Sequence, residues 1–167
     1  MSDILLTTAG IAKISAAAGS ATQVAISHIA IGDGLGVVYT PDPGQVGLRR
    51  EKARAAIERR HRIEPDAWRV IASFPPGAQA YQVREIGFFD SEGTLIAIWS
   101  SADLGQAGAI EYLVNHVLQF SAADSGLVIV HAPDDALFDL AVKTAAALAN
   151  LQLEQLRQAE RLDARAS

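Results

Sequence analysis

The sequence of 167 residues contains no cysteine. This absence excludes disulfide bridges and thiolate metal sites. No apolar run approaches the roughly 20 residues of a membrane-spanning helix. The first residues also lack the basic start and apolar segment of a secretory signal. We therefore expect a soluble chain that is made in the cytoplasm and is not inserted in a membrane.

Patterns that would carry catalysis are also missing. The four histidines are scattered, and none stands in a two-histidine spacing with a carboxylate that would indicate zinc. There is no G-x-S-x-G nucleophile motif. Because catalysis needs several functional groups in one arrangement, we expect no enzymatic activity, no cofactor and no metal.

Positive charge is concentrated in one stretch, although the formal net charge of -5 argues against a nucleic-acid partner. Half of the 14 Lys and Arg residues fall in a short basic run: Arg49, Arg50, Lys52, Arg54, Arg59, Arg60 and Arg62. One interpretation is a solvated face. The other is a docking surface for an acidic partner, and it predicts that these side chains bind a neighbouring protein.

A β-hairpin is predicted over 83–99. Two apolar runs flank Asp90-Ser91-Glu92-Gly93, where the glycine can adopt the positive φ that closes such a turn. Both runs are apolar on both faces, which is typical of strands inside a sheet. The charged neighbours Arg84 and Glu85 are interpreted as structural groups that anchor a loop or a partner subunit.

Periodicity predicts further elements around this hairpin. Residues 6–18 form a predicted helix with Thr7 as N-cap and Gly19 as C-terminal stop. Alternation predicts strands over 24–31, 67–74, 110–120 and 127–131. The glycines that follow the first of these strands indicate a turn, since no helix follows to form a phosphate loop.

The segment 45–64 is ambiguous. Its Ala, Glu, Lys and Arg content slightly favours a helix. The alternation of Ala53, Ala55 and Ile57 allows a strand. The residues alone leave both readings open.

Residues 134–165 predict a long helix, without glycine or proline, acidic at its start and basic at its end. About 30 residues give a rod of roughly 45 Å. A lone amphipathic helix is marginal in water. We therefore expect self-association as a coiled coil through Leu148, Leu151, Leu156 and Leu162. A helix packed on its own domain is the alternative, and the stripe does not choose between dimer and trimer.

Four sequence blocks resemble the N-terminal domain of phage tail-collar fibre proteins. They are LTTAGIAKI at 6–14, AIGDG at 30–34, TPDP at 40–43 with LRRE at 48–51, and REIGFFDSEGTLIAI at 84–98. Their order and spacing match, and the resemblance covers most of residues 4–131. The chain departs from the family pattern just before the last block. The family usually has Gly-Gly-aromatic there, and this chain has AQAY at 78–81.

This resemblance implies a structural protein of the virion, in a tail fibre of a contractile-tailed phage, prophage or R-type pyocin. The N-terminal domain would dock on baseplate proteins, and the remainder would project as a homotrimer that contributes to host attachment. The resemblance also implies a strand over 51–57, against helix propensity. Because the sequence stops at residue 167, we expect a short tail fibre, or an adaptor that carries a distal fibre or receptor-binding protein.

The expected fold class is α+β: a mostly antiparallel sheet with an N-terminal helix and a long C-terminal α-helix. Residues 1–132 would form the baseplate-attachment domain, and 133–167 an oligomerisation or adaptor segment. Two other functions remain open. One is a fibre-assembly chaperone that is absent from finished particles. The other is a glycan-processing tail enzyme, which would need two carboxylates facing each other across a cleft.

Overall fold

The computed structural model describes residues 4–64, 67–119 and 127–166. The chain divides into two compact units, Met1–Asp134 and Asp135–Ser167. Among the described residues, no helix combines the length and the apolar character needed to cross a membrane.

The first unit is built mainly of strands. In chain order its elements are β1 (Leu5–Leu6), α1 (Thr8–Ser20), β2 (Val24–Gly32), β3 (Glu51–Ala56), β4 (Arg59–Glu64), β5 (Ala67–Phe74), β6 (Tyr81–Gln82), β7 (Glu85–Asp90), β8 (Leu95–Ser100), β9 (Gln106–Ala107), β10 (Tyr112–Gln119) and β11 (Val128–Val130). A 3-10 turn, Gly34–Gly36, lies between β2 and β3.

Two sheets enclose the core. The larger has the order β1-β8-β7-β2-β11, with β3 also paired to β2, and the smaller has the order β10-β5-β4. The pairs are antiparallel except β11 with β2, which run parallel. Rings from the two sheets meet directly, since His116 on β10 stacks on Phe88 of β7 with centroids 5.9 Å apart. Burial raises the free energy of a charged imidazole and lowers the pKa of His116.

The predicted hairpin is confirmed as β7 and β8. Both strands lie inside the larger sheet. Gly93 closes the turn at φ 83°. Phe88 and Ile96 are fully buried. The apolar character of both faces of these strands therefore correctly predicted that they lie inside a sheet.

Helix α1 begins where its cap predicts and ends later than expected. The Thr7 hydroxyl accepts from the Gly10 N–H at 2.9 Å and donates to the Leu95 carbonyl at 2.5 Å. Gly19 was expected to stop the helix. Instead Ala21 ends it in the left-handed conformation at φ 53°, with its N–H on the Ala17 carbonyl. That hydrogen bond completes the last turn without a glycine.

The ambiguous segment contains strands, as the resemblance implied and helix propensity did not. Ala53 and Ala55 on β3 pair with Ile31 and Ile29 of β2. Partner strands thus supply hydrogen bonds and apolar contacts that outweigh a helix preference of a few tenths of a kcal/mol per residue.

The strand expected over 110–120 begins later, at Tyr112. Ile110 therefore precedes the strand, and it is 69% exposed. Phe120 and the turn expected over 124–126 lie outside the described residues.

The expected α+β class is wrong, because the structure is mostly β-sheet, at 41% strand. The physical reason is that the second sheet buries apolar strand faces that a helical layer would otherwise cover. Trp68 and Val70 of β5 share one core with Ile29 of β2. Among the described residues of the first unit, α1 is the single α-helix beside eleven strands.

The expected long C-terminal helix also needs correction. Helix α2 is assigned over Ala136–Ala166. The continuous stretch whose side chains the structure describes is 143–161, which is 19 residues. The expected rod is therefore corrected to these 19 residues where its side chains are concerned, while the backbone of α2 is assigned over Ala136–Ala166.

Candidate attachment surface

A buried carboxylate organises the longest connection of the first unit. Glu85, at the start of β7, has no exposed surface. It accepts hydrogen bonds from the N–H groups of Gly34, Arg49 and Arg50 at 3.1, 2.9 and 2.9 Å, and from the Tyr39 hydroxyl at 2.5 Å. We call residues 33–50 the tethered loop. The interpretation of Glu85 as an anchor for a neighbouring loop is confirmed.

A second carboxylate holds the beginning of the tethered loop to its end. Asp33 is 7% exposed and accepts from Arg50 Nε and Nη2, each at 2.6 Å. Lys52 Nζ lies 3.4 Å from the same carboxylate. The Arg50 hydrogen bonds lower the pKa of Asp33 below its ordinary value. This carboxylate is therefore charged at neutral pH.

Tyr39 ties the middle of the loop to the same anchor. Burial raises the pKa of Tyr39 to about 12, and its hydrogen bond to Glu85 acts in the same direction. Its hydroxyl also accepts from Gln45 Nε2 at 3.3 Å. The Arg49 guanidinium lies 3.6 Å from the centre of the Tyr39 ring. Tyr39 thus remains a neutral hydrogen-bond donor at physiological pH.

The tethered loop presents large apolar side chains to solvent. Its strongly exposed members are Leu35, Val37, Val38 and Val46. Leu35 adopts φ 60° and ψ 30°, the left-handed region that side chains other than glycine rarely occupy. The glycines of this region indicated only a turn, although a leucine between Gly34 and Gly36 is a signal that could have indicated the strained position.

The basic run is divided between the tethered loop and two sheets. Arg49 and Arg50 belong to the tethered loop, and Lys52 and Arg54 lie on β3 of the larger sheet. The other members, Arg59, Arg60 and Arg62, lie on β4 of the smaller sheet.

Several members of the basic run are engaged within the unit. Arg54 binds Glu51 at 2.9 and 2.8 Å and stacks over Phe89. Arg60 binds Asp134 at 3.0 Å and lies over Trp68. Partner binding by the basic run remains a prediction.

A polar groove lies between α1 and the β7–β8 turn. It has a volume of about 330 Å³ and includes Lys13, Asp90 and Glu92 in its lining. Lys13 Nζ binds Asp90 and also Glu92, the latter at 2.5 Å. These hydrogen bonds, led by that to Asp90, raise the pKa of Lys13. Both carboxylates are thus engaged with one lysine. Across the described part of the chain, no three His, Asp or Glu side chains cluster as metal ligands would.

The leucines predicted for self-association lie on α2. Leu148, Leu151 and Leu156 are each more than half exposed within this chain. The side chain of Leu162 lies outside the described residues. Their role in self-association remains a prediction.

Sequence comparison identifies the family. The N-terminal domain of phage tail-collar fibre proteins matches residues 1–125. A probable tail fiber protein of Escherichia phage P2 is 38% identical over 102 residues, which are 59% of this chain and 15% of that relative. The chain thus spans a small part of that relative's length. No solved structure matches significantly. The chain therefore belongs to the phage tail-collar fibre proteins, a family of structural components of phage tails.

Proposed function

We propose that this protein is a tail fibre or fibre adaptor that attaches receptor-binding components to the baseplate of a contractile tail. In this role it contributes to host attachment. The observation that supports the proposal best is that the family match over 1–125 contains Glu85 and the whole tethered loop. A connection held by a buried carboxylate is preorganised, which lowers the entropic cost of docking.

The basic run supplies charge for docking on baseplate proteins. Arg49, Arg50 and Lys52 stand at or beside the tethered loop and are exposed. Exposed cations speed the encounter with an acidic surface and fix its orientation more than they add affinity. We assign this part of the basic run to the baseplate contact, and Arg59, Arg60 and Arg62 to a separate contact with a neighbouring subunit.

Self-association through α2 forms the second part of the proposal. A helix with leucines more than half exposed gains stability when copies bury them. We propose a homotrimer, since tail-collar fibres project as trimers by the resemblance described above. Leu148, Leu151 and Leu156 would pack between helices, and Leu162 would continue the same stripe.

The test uses tails assembled by the source particle after deletion of the gene for this chain. Purified full-length chain is added, the tails are sedimented, and bound chain is located by electron microscopy with a gold label. We expect label at the baseplate and also in native finished particles. A heat-unfolded sample of the same chain is the control. A chain that associates with fibres during assembly but is absent from finished particles would instead support the chaperone.

A further inference from the structure

The backbone that carries the exposed Leu35 side chain adopts an unusual conformation. Three consecutive residues have positive φ: Gly34 at 59°, Leu35 at 60° and Gly36 at 83°. The two glycines adopt this conformation without strain, whereas the leucine Cβ opposes it. A glycine would suit the backbone at position 35 better than the leucine that occupies it.

The anchors of the tethered loop impose this geometry. The Leu35 N–H donates to Asp33 Oδ1 at 3.1 Å, and Asp33 is held in turn by Arg50. The N–H of Gly34 donates to Glu85. The backbone N–H groups of Gly34 and Leu35 are therefore held by two carboxylates, and neither contact involves the Leu35 side chain.

The side chain of Leu35 contributes little to the fold of its own unit. It is 58% exposed. Val37 and Val38, next along the loop, are 53% and 43% exposed. Single exposed apolar residues are common on proteins, but a group of them on one rigid loop marks an interaction site.

The charge around this group is positive. The guanidinium of Arg49 stacks on Tyr39, and Arg84 lies next to the same turn, with its Cβ beside Gly34. Neither guanidinium is paired with a carboxylate within the part of the chain that the structure describes. Asp33 is shared between two cations, Arg50 and Lys52. A second copy of this surface would bring like charges together, which disfavours symmetric self-pairing.

We propose that Leu35, with Val37 and Val38, is the hydrophobic anchor by which this domain docks on the tail. Its partner is an apolar hollow on a baseplate protein, rimmed by carboxylates that face Arg49 and Arg84. This proposal rests on the proposed function and names the surface that performs it. In this arrangement the contacts of the Leu35 side chain with the partner offset the backbone strain at position 35.

The test separates stability from binding. Leu35→Gly removes the side chain and relieves the positive-φ strain, so the full-length variant should unfold at the same temperature as wild type or a few degrees higher. Fibreless tails are the tails assembled without this chain, as in the test above. The affinity of the variant for fibreless tails should fall at least tenfold, as expected for a central apolar anchor. Leu35→Asn, which also tolerates this backbone, should lose affinity similarly. Leu35→Met should keep most of it.

The matched control is Ile110→Asn. Ile110 is also a strongly exposed aliphatic side chain, but it lies outside the tethered loop. This variant should bind fibreless tails as wild type does. Changing both arginines, Arg49→Gln with Arg84→Gln, should slow association several-fold at low salt and flatten its salt dependence.

The outcomes are distinguishable. Wild-type affinity in Leu35→Gly, with wild-type chain bound to tails, overturns this inference and leaves the proposed function intact. Failure of the wild-type chain to bind fibreless tails overturns both. A drop in solution mass in Leu35→Gly identifies the surface as a contact between copies and overturns the assignment to a baseplate partner.

Discussion

Glu85 is the residue on which the candidate surface depends most. Each of its oxygens accepts two hydrogen bonds: Oε1 from Gly34 and Arg50, Oε2 from Tyr39 and Arg49. In Glu85→Gln an NH2 group replaces one of these oxygens. It would face two hydrogen-bond donors that then have no acceptor. We expect a loss of about 2–4 kcal/mol in the free energy of unfolding, measured in urea, because buried donors lose their acceptor.

The exposed pair of Glu51 and Arg54 provides the control for that substitution. Glu51→Gln weakens a surface ion pair and should cost less than about 1 kcal/mol. Similar losses for Glu51→Gln and Glu85→Gln would show that the tethered loop does not depend on its buried anchor.

Asp33 gives the fold an acid-sensitive contact. Its pKa in the folded chain lies below the ordinary value of 3.8, chiefly because Arg50 donates to it. A depressed folded pKa stabilises the fold above the unfolded pKa, and this stabilisation is lost as the pH falls through the folded pKa. Asp33→Asn should therefore lower stability at pH 7 and reduce the loss of stability between neutral pH and pH values below 3.8.

Urea unfolding across that pH range measures this effect. Asp103→Asn is the control, since Asp103 is exposed and makes no such contact with an arginine among the described residues. If Asp33→Asn shows the same acid sensitivity as wild type, the loop is not held by this ion pair.

Helix α1 shows how one element can hold two glycines with opposite requirements. A Cβ on Gly10 would lie 3.0 Å from the Ile96 Cα and carbonyl carbon and nearer still to its oxygen. A Cβ on Gly19 would meet nothing within 4 Å. Gly10→Ala should destabilise by about 1–3 kcal/mol, because α1 must move away from β8 despite better helix propensity.

Gly19→Ala is the matched partner in the same helix. It should stabilise by about 0.5–1 kcal/mol, since propensity acts there without a clash. Thermal unfolding of the two variants measures the difference. Equal effects from both would contradict the close approach of α1 to β8.

For the whole molecule, the decisive quantity is its mass in solution. Leu148→Ser with Leu151→Ser should convert a trimer into a monomer, because both side chains are more than half exposed in the single chain. Leu153→Ser is the control, since at 100° per residue Leu153 lies about 140° from Leu148 and about 160° from Leu151 around α2. Light scattering gives the result, and a wild-type monomer would remove α2 as the self-association element.

Prediction from the residues succeeded where the determining contacts are local. Thr7 caps α1 through a group three residues away, and the apolar faces of β7 and β8 report directly on their burial. Prediction failed where contacts between segments that are distant in the sequence determine the structure. The strand β3 contradicts its own propensity because it pairs with β2. The expected α+β class failed because a second sheet, not a layer of helices, covers the first.

The amino-acid sequence alone determined the family and the central hairpin, and it indicated that Glu85 anchors either a loop or a partner subunit. These follow from residue order and from the cost of burying a charge without partners. Tertiary structure decided which donors satisfy Glu85, how the basic run divides between two sheets, and that Leu35 faces water in a strained conformation. These features depend on contacts such as that between Gly34 and Glu85, 51 residues apart. Local patterns contain no information on such a pairing until the chain has folded.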